Sequence, residues 1–186
     1  MTLKLLKKNP KRTDRGCLKN WGLNIMTKSA EISECGKYRY QLKRQWNNGN
    51  NFVLFIGLNP SIADAEIDDP TLTRCIGFAK RENFDGLIMV NLFAYRATDP
   101  NQLVGEKDYL VGSLTDERIK DVLTEVNAVV VCWGNDGSYL GRDKEVLELL
   151  KNHVKDKPIY CLDKNKSGQP KHPLYASGEK DWIEYI

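Results

Sequence analysis

The side chains with the most chemical potential are amides, aromatics and cations that stand just after apolar runs. Gly57-Leu-Asn-Pro-Ser61 follows the run Phe52-Val-Leu-Phe-Ile56, and Pro60 fixes the turn while steering Asn59 away from helical dihedrals. Asn59 thus offers one acceptor and two donors at the mouth of an apolar segment, the complement of a nucleobase edge and a group able to orient a water. The plain alternative is a turn, since Asn-Pro pairs commonly start one. Asn91-Leu-Phe-Ala-Tyr-Arg-Ala-Thr-Asp-Pro100 gathers an amide, two aromatics, a guanidinium and a carboxylate in one stretch. Tyr95 can stack on a base and Arg96 can hold a phosphate bidentately; equally, Phe93 is core and Arg96 pairs with Asp99 to stiffen the loop.

Trp133-Gly-Asn-Asp136 follows a third apolar run, with Trp133 either a stacking wall or core and Asn135 a further amide. Lys164, Lys166 and Lys171 lead to His172-Pro-Leu-Tyr175. His172 can donate to a phosphate or carbonyl or act as an acid, or it is a surface histidine before a proline. The candidate ligand-binding set is therefore Asn59, Ser61, Asn91, Tyr95, Arg96, Trp133, Asn135, Lys166 and His172, with no catalytic residue assigned. Asp64, Asp68 and Asp69 match neither an EF-hand nor a Walker spacing, and Asp68 and Asp69 flank Pro70 where carboxylates suit a helix start. No metal is expected. Serine-elbow, dinucleotide-fingerprint, P-loop and His-Glu-x-x-His motifs are absent, so hydride transfer, P-loop phosphoryl transfer and zinc hydrolysis lack support and no cofactor is expected.

These residues need a frame. The run at 52–56 recurs in kind at 87–90, 128–132 and 159–162, short β-branched stretches suited to strands buried on both faces. Helical spacing falls between them: Leu72, Cys75, Ile76 and Ala79 after Pro70; then Ile119, Val122 and Leu123; then Val146, Leu147, Leu149 and Leu150. Tyr38, Tyr40 and Leu42 alternate with Arg39, Gln41 and Lys43, the pattern of a half-buried strand, read as an edge. Alternating strands and helices predict an α/β three-layer sandwich with a mainly parallel central sheet, whose ligands bind beyond the strands' carboxyl ends.

The chain has 186 residues, 41% of them hydrophobic and 28% charged, which fits one folded domain and excludes disorder. Residues 1–28 carry eight basic side chains against Asp14 alone, a net of +7 that leaves −4 for the remainder and +3 in all. This predicts a basic arm over 1–28, able to attract a polyanion such as nucleic acid or to act as a solvated tail, and a single α/β domain over 29–186. Five cysteines without C-x-x-C spacing read as reduced core thiols. With no apolar run near membrane length and no signal peptide, a soluble cytoplasmic protein is expected.

Taken in order, Gly57-Leu-Asn-Pro-Ser61, Asp69-Pro-Thr-Leu-Thr-Arg74, the segment Asn91 to Pro100 and Lys171-His-Pro-Leu-Tyr175 resemble a family of bacterial and phage proteins catalogued as a domain of unknown function. The resemblance runs from about Tyr38 to the C-terminus. Gly57 to Pro60 is also similar to the first motif of the mismatch-specific branch of the uracil-DNA glycosylase superfamily, and His172-Pro173 to the start of that superfamily's second motif. This implies a uracil-DNA-glycosylase-like fold, with Asn59 positioning water, His172 stabilising the leaving base or gripping phosphate, and a base flipped into the pocket. The sequence departs from that pattern: no acid stands between Gly57 and Ser61, and Leu174 and Tyr175 replace a serine-rich wedge. The family further resembles viral sponge proteins of the anti-CBASS type, which sequester nucleotide messengers of bacterial antiviral defence. That resemblance implies binding without turnover, often in a homo-oligomer, and in the host cytoplasm if the chain is phage-encoded. The leading expectation is a sponge for a cyclic dinucleotide or cyclic ADP-ribose-type ligand, its rival a mismatch-specific glycosylase, and a third a DNA-binding module using the arm alone.

Overall fold

The computed structural model describes residues 26–99, 102–154 and 156–186. The basic arm lies outside the described residues as far as residue 25, Cys17 included. Its last members, Thr27 and Lys28, open the first strand.

The chain runs through β1 (Thr27–Ile32), β2 (Arg39–Gln45), β3 (Phe52–Gly57), α1 (Pro70–Arg81), β4 (Gly86–Asn91), α2 (Lys107–Val111), α3 (Thr115–Leu123), β5 (Ala128–Val131), α4 (Arg142–His153), β6 (Ile159–Cys161) and β7 (Ile183–Glu184). All seven strands form one sheet in the order β1-β2-β4-β3-β5-β6-β7. The inner four, β4-β3-β5-β6, pair in parallel. The outer pairings, β1 with β2, β2 with β4 and β6 with β7, are antiparallel. The expected α/β fold is present, and its sheet is mixed, parallel across the inner four strands and antiparallel at both flanks. Strand β2 is not an edge, because β1 pairs along its outer side.

The inner strands alternate between two cores, as strands covered on both faces must. Leu54, Ile56, Ile88, Val90, Val129 and Val131 pack with Ile119 and Val122 of α3 and Val146 and Leu150 of α4. Val53, Phe55, Leu87, Met89 and Val130 pack with Leu72, Cys75, Ile76 and Ala79 of α1. Complete burial of a Val, Leu, Ile, Phe or Met side chain among these contributes about 1.5–3 kcal/mol. Cys75, Cys132 and Cys161 are buried thiols, whereas Cys35 is exposed, against the expectation of a core position. Among the described residues no helix is long and apolar enough to cross a membrane.

Helix α1 starts where Asp69 accepts the Leu72 N–H at 2.7 Å, with Pro70 in the first turn. Such a cap is worth about 1 kcal/mol. Asp68 serves differently: it takes the Arg44 Nε–H at 2.8 Å and the Lys28 ammonium at 3.2 Å. Arg44, with a side chain 0% exposed, also donates to the carbonyls of Ser29, Lys43, Asp64 and Ile67. One buried guanidinium thus fastens the 64–68 loop to β1 and β2.

Candidate functional site

The topology selects a place. From β3 the chain crosses to β4 on one side and later places β5 on the other, so the loops leaving β3 and β5 diverge at their carboxyl ends. Open α/β sheets bind ligands at such a crevice.

Asn91 ends β4 beside Gly57, its register partner at the end of β3. The side chain is 3% exposed, and neither Oδ1 nor Nδ2 has a protein hydrogen-bond partner among the described residues. By strand alternation it faces the α1 side with Leu87 and Met89. Gly57 makes room for it: a Cβ there would stand 2.8 Å from the Asn91 Oδ1. A buried amide without partners costs about 1–3 kcal/mol, so a group carrying both a donor and an acceptor is its natural complement.

Asn59 binds inward. Its Nδ2 donates to the carbonyls of Ala97 at 2.7 Å and Pro60 at 3.1 Å, tying the β3 loop to the β4 loop and leaving Oδ1 as the acceptor toward any ligand. Ser61, Tyr95 and Arg96 come together: with Lys37, Ala97 and Thr98 they line a surface cleft of about 220 Å³. Arg96 donates to the Gly36 carbonyl at 3.2 Å. Tyr95 belongs to a ring cluster, 5.2 Å from Tyr109 and 6.1 Å from Tyr38.

His172 is half-buried against Gly134, at the end of β5. The Leu174 N–H donates to its Nδ1 at 3.4 Å, which places the proton of the neutral ring on Nε2. Burial lowers its pKa below the ordinary 6.5, while the carboxylates of Asp69 and Asp136 oppose this, so the ring is neutral at pH 7. Arg74, from α1, holds the turn in place by donating to the Ala176 carbonyl at 2.6 Å and the Pro173 carbonyl at 3.4 Å.

The other expected residues lie apart. Trp133 is 1% exposed and packs in the α3–α4 core, its Nε1–H donating to Gln169 at 2.8 Å and its ring edge-on to Tyr185, so it offers no open face for stacking. Asn135 is exposed and accepts hydrogen bonds from Asn165 and Ser167, fastening the turn on which exposed Lys166 stands. The described residues contain no group of three His, Cys, Asp or Glu side chains that could hold a metal ion.

Arg39 is a residue that the sequence pattern conceals. Its alternation with Tyr38 and Tyr40 assigns it to solvent, yet it is 2% exposed. Gln41 opposes Glu31 while Arg39 opposes Ile32, so Tyr40 is an extra residue in β2 and the bulge turns Arg39 inward. Its Nη1 donates to the Ala63 carbonyl at 2.8 Å, and its Nε has no protein partner among the described residues. Burial lowers its pKa to about 10, with Asp69 opposing and Arg96 and Arg44 adding to the effect, so it remains a cation at neutral pH.

No curated protein matches the chain, and no solved structure does. The family described as "Protein of unknown function (DUF1643)" matches residues 39–174, a span that opens at Arg39, closes two residues after His172 and includes Gly57, Asn59 and Asn91. The chain belongs to that family.

Proposed function

We propose that this protein binds a nucleotide and holds it without turnover, as a sponge for a cyclic dinucleotide or cyclic ADP-ribose-type messenger. The observation that carries the reading is the Asn91 amide, 3% exposed and without a protein hydrogen-bond partner at either polar atom among the described residues, at the carboxyl end of β4 beside Gly57 of β3. An amide matches the adjacent donor and acceptor of a base edge. Ser61, Tyr95 and Arg96, which line one cleft built from the loops that follow β3 and β4, supply a hydroxyl, a ring and a guanidinium, suited to ribose and phosphate. The surrounding carboxylates are already committed to structure: Asp69 caps α1, Asp64 accepts the N–H groups of Glu66 and Ile67, and Asp68 pairs with Arg44 and Lys28. This favours binding over general-base chemistry.

Calorimetric titration against cyclic dinucleotides and cyclic ADP-ribose isomers, with the ligand recovered by heating and identified by chromatography, tests the reading. Tight binding, intact recovery and a loss of about tenfold or more in affinity on Asn91→Leu are expected, since an unmade buried hydrogen bond costs about 1–3 kcal/mol. Unchanged affinity in the variant would refute the role of the amide.

A second reading, a glycosylase of the uracil-DNA-glycosylase type, is favoured by one observation: the Gly57–Ser61 turn and a neutral His172 with Nε2–H as donor stand at the same end of the sheet. It requires release of free base from mismatched duplex and loss of that release in Asn59→Ala, with affinity for DNA falling steeply as salt rises.

A further inference from the structure

We propose that the cleft lined by Lys37, Ser61, Ile62, Tyr95, Arg96 and Thr98 binds a phosphate group, with Lys37 and Arg96 as its lining cations and the buried Arg39 guanidinium, bonded to the Ala63 carbonyl behind Ile62, as a third positive charge beneath it. The assignment deepens the nucleotide reading and rests on it for what the phosphate belongs to, while the anion site stands on its own observations.

One wall is a short backbone ladder: the Arg39 N–H donates to the Ala94 carbonyl at 3.0 Å, and the Arg96 N–H to the Lys37 carbonyl at 2.9 Å. Lys37 and Arg96 from this wall line the cleft, and Ser61 and Ile62 line it from the opposite side. Arg39 ties the two together, reaching from the ladder to the carbonyl of Ala63, next to Ile62. Among the described residues no carboxylate lies within ion-pair distance of it; Asp69 and Asp64 act on it only from farther away.

Arg44, five residues along the same strand, is held differently. Both guanidiniums are buried, but Arg44 has Asp68 at 2.8 Å and a ring of carbonyls, whereas among the described residues Arg39 has one carbonyl and no partner for its Nε. Buried charge is paired as a rule, because an uncompensated ion loses its hydration without return. Lys37, Arg96 and the Ser61 and Thr98 hydroxyls line the cleft whose two sides Arg39 joins from behind, so an anion is the fitting counterpart, and a phosphate accepts several charge-assisted bonds at once. At about 220 Å³ the cleft suits a phosphoryl group with part of a ribose, and it is smaller than the roughly 300–1,000 Å³ of sites that enclose whole drug-sized ligands.

The test uses the full chain with two probes, inorganic phosphate and a set of unphosphorylated nucleosides, read by calorimetry and thermal melts. Phosphate is expected to bind the wild type, to bind Arg96→Ala and Arg39→Met about tenfold more weakly or worse, and to bind Asn91→Leu as before. Nucleosides are expected to show the opposite dependence. Without phosphate, Arg39→Met should melt no lower than the wild type, because an apolar chain of similar length replaces a buried charge that has no ion partner among the described residues and one carbonyl acceptor. Should Arg39→Met fail to fold, the rim variant Arg96→Ala decides alone. No phosphate binding by the wild type, or equal binding by Arg96→Ala, overturns the proposal. Phosphate binding as expected with no nucleoside bound to any of the proteins removes the base reading of Asn91 and leaves this site standing.

Discussion

Replacing Asn91 with leucine should make the protein more stable while removing its ligand. Leucine keeps the heavy-atom skeleton of asparagine but substitutes methyls for the two polar atoms, neither of which has a protein partner among the described residues. The position is 3% exposed, and Met89 and the bare Cα of Gly57 are near, so methyls find apolar company. Relieving a buried unsatisfied amide is worth about 1–3 kcal/mol, and a central gain of about 2 kcal/mol corresponds to roughly 4–8 °C in Tm for a chain of this size. Urea melts at pH 7 with the slope compared between variants give the free energy directly, because an unchanged slope certifies that stability alone has moved. A loss of 1 kcal/mol or more in Asn91→Leu would show that the amide is satisfied and structural, and the reasoning that makes it a recognition group would fail.

Further predictions follow from the same geometry. Gly57→Ala should weaken nucleotide binding, because its Cβ would stand 2.8 Å from the Asn91 Oδ1 and 3.2 Å from the Met89 Cε and push the amide aside; titration of the folded variant checks it. His172 is a base whose folded pKa lies below its unfolded one, so its contribution is fully present above about pH 6.5 and is lost as the pH falls below that value. Urea melts across this window should fall more steeply in the wild type than in His172→Gln. Arg44→Ala should cost about 3 kcal/mol or more, since it leaves Asp68 with Lys28 alone and orphans the carbonyls that Arg44 serves; denaturant melts measure it.

Much of the fold was legible because it rests on local patterns. Runs such as 52–56 and 128–132, short and β-branched, have few solutions other than strands buried twice, and Pro70 with Asp69 marks the start of α1. The elements without a local pattern are held together from a distance. Strand β1 has no apolar run; it pairs with β2 and is anchored by polar contacts, Lys28 to Asp68 and Glu31 to Arg118. Strand β7 is two residues long, and helix α2 five.

The site divides in the same way. That Asn59, Asn91 and His172 would stand at the strands' carboxyl ends follows from sequence order and topology. That Asn91 has no hydrogen-bond partner among the described residues does not, because it depends on which neighbours fail to reach it. Arg39 was hidden by one inserted residue, Tyr40, which reverses the face on which every residue before it points. Trp133 was ambiguous until Gln169, thirty-six positions away, supplied its hydrogen-bond partner.

The most direct test of the central claim is calorimetric titration of wild type and Asn91→Leu with the cyclic nucleotide panel, followed by chromatography of what the heated complex releases. The account predicts saturable binding by the wild type, recovery of the intact nucleotide and affinity lost in the variant. Binding that survives Asn91→Leu, or release of a free base in place of the intact nucleotide, would contradict it.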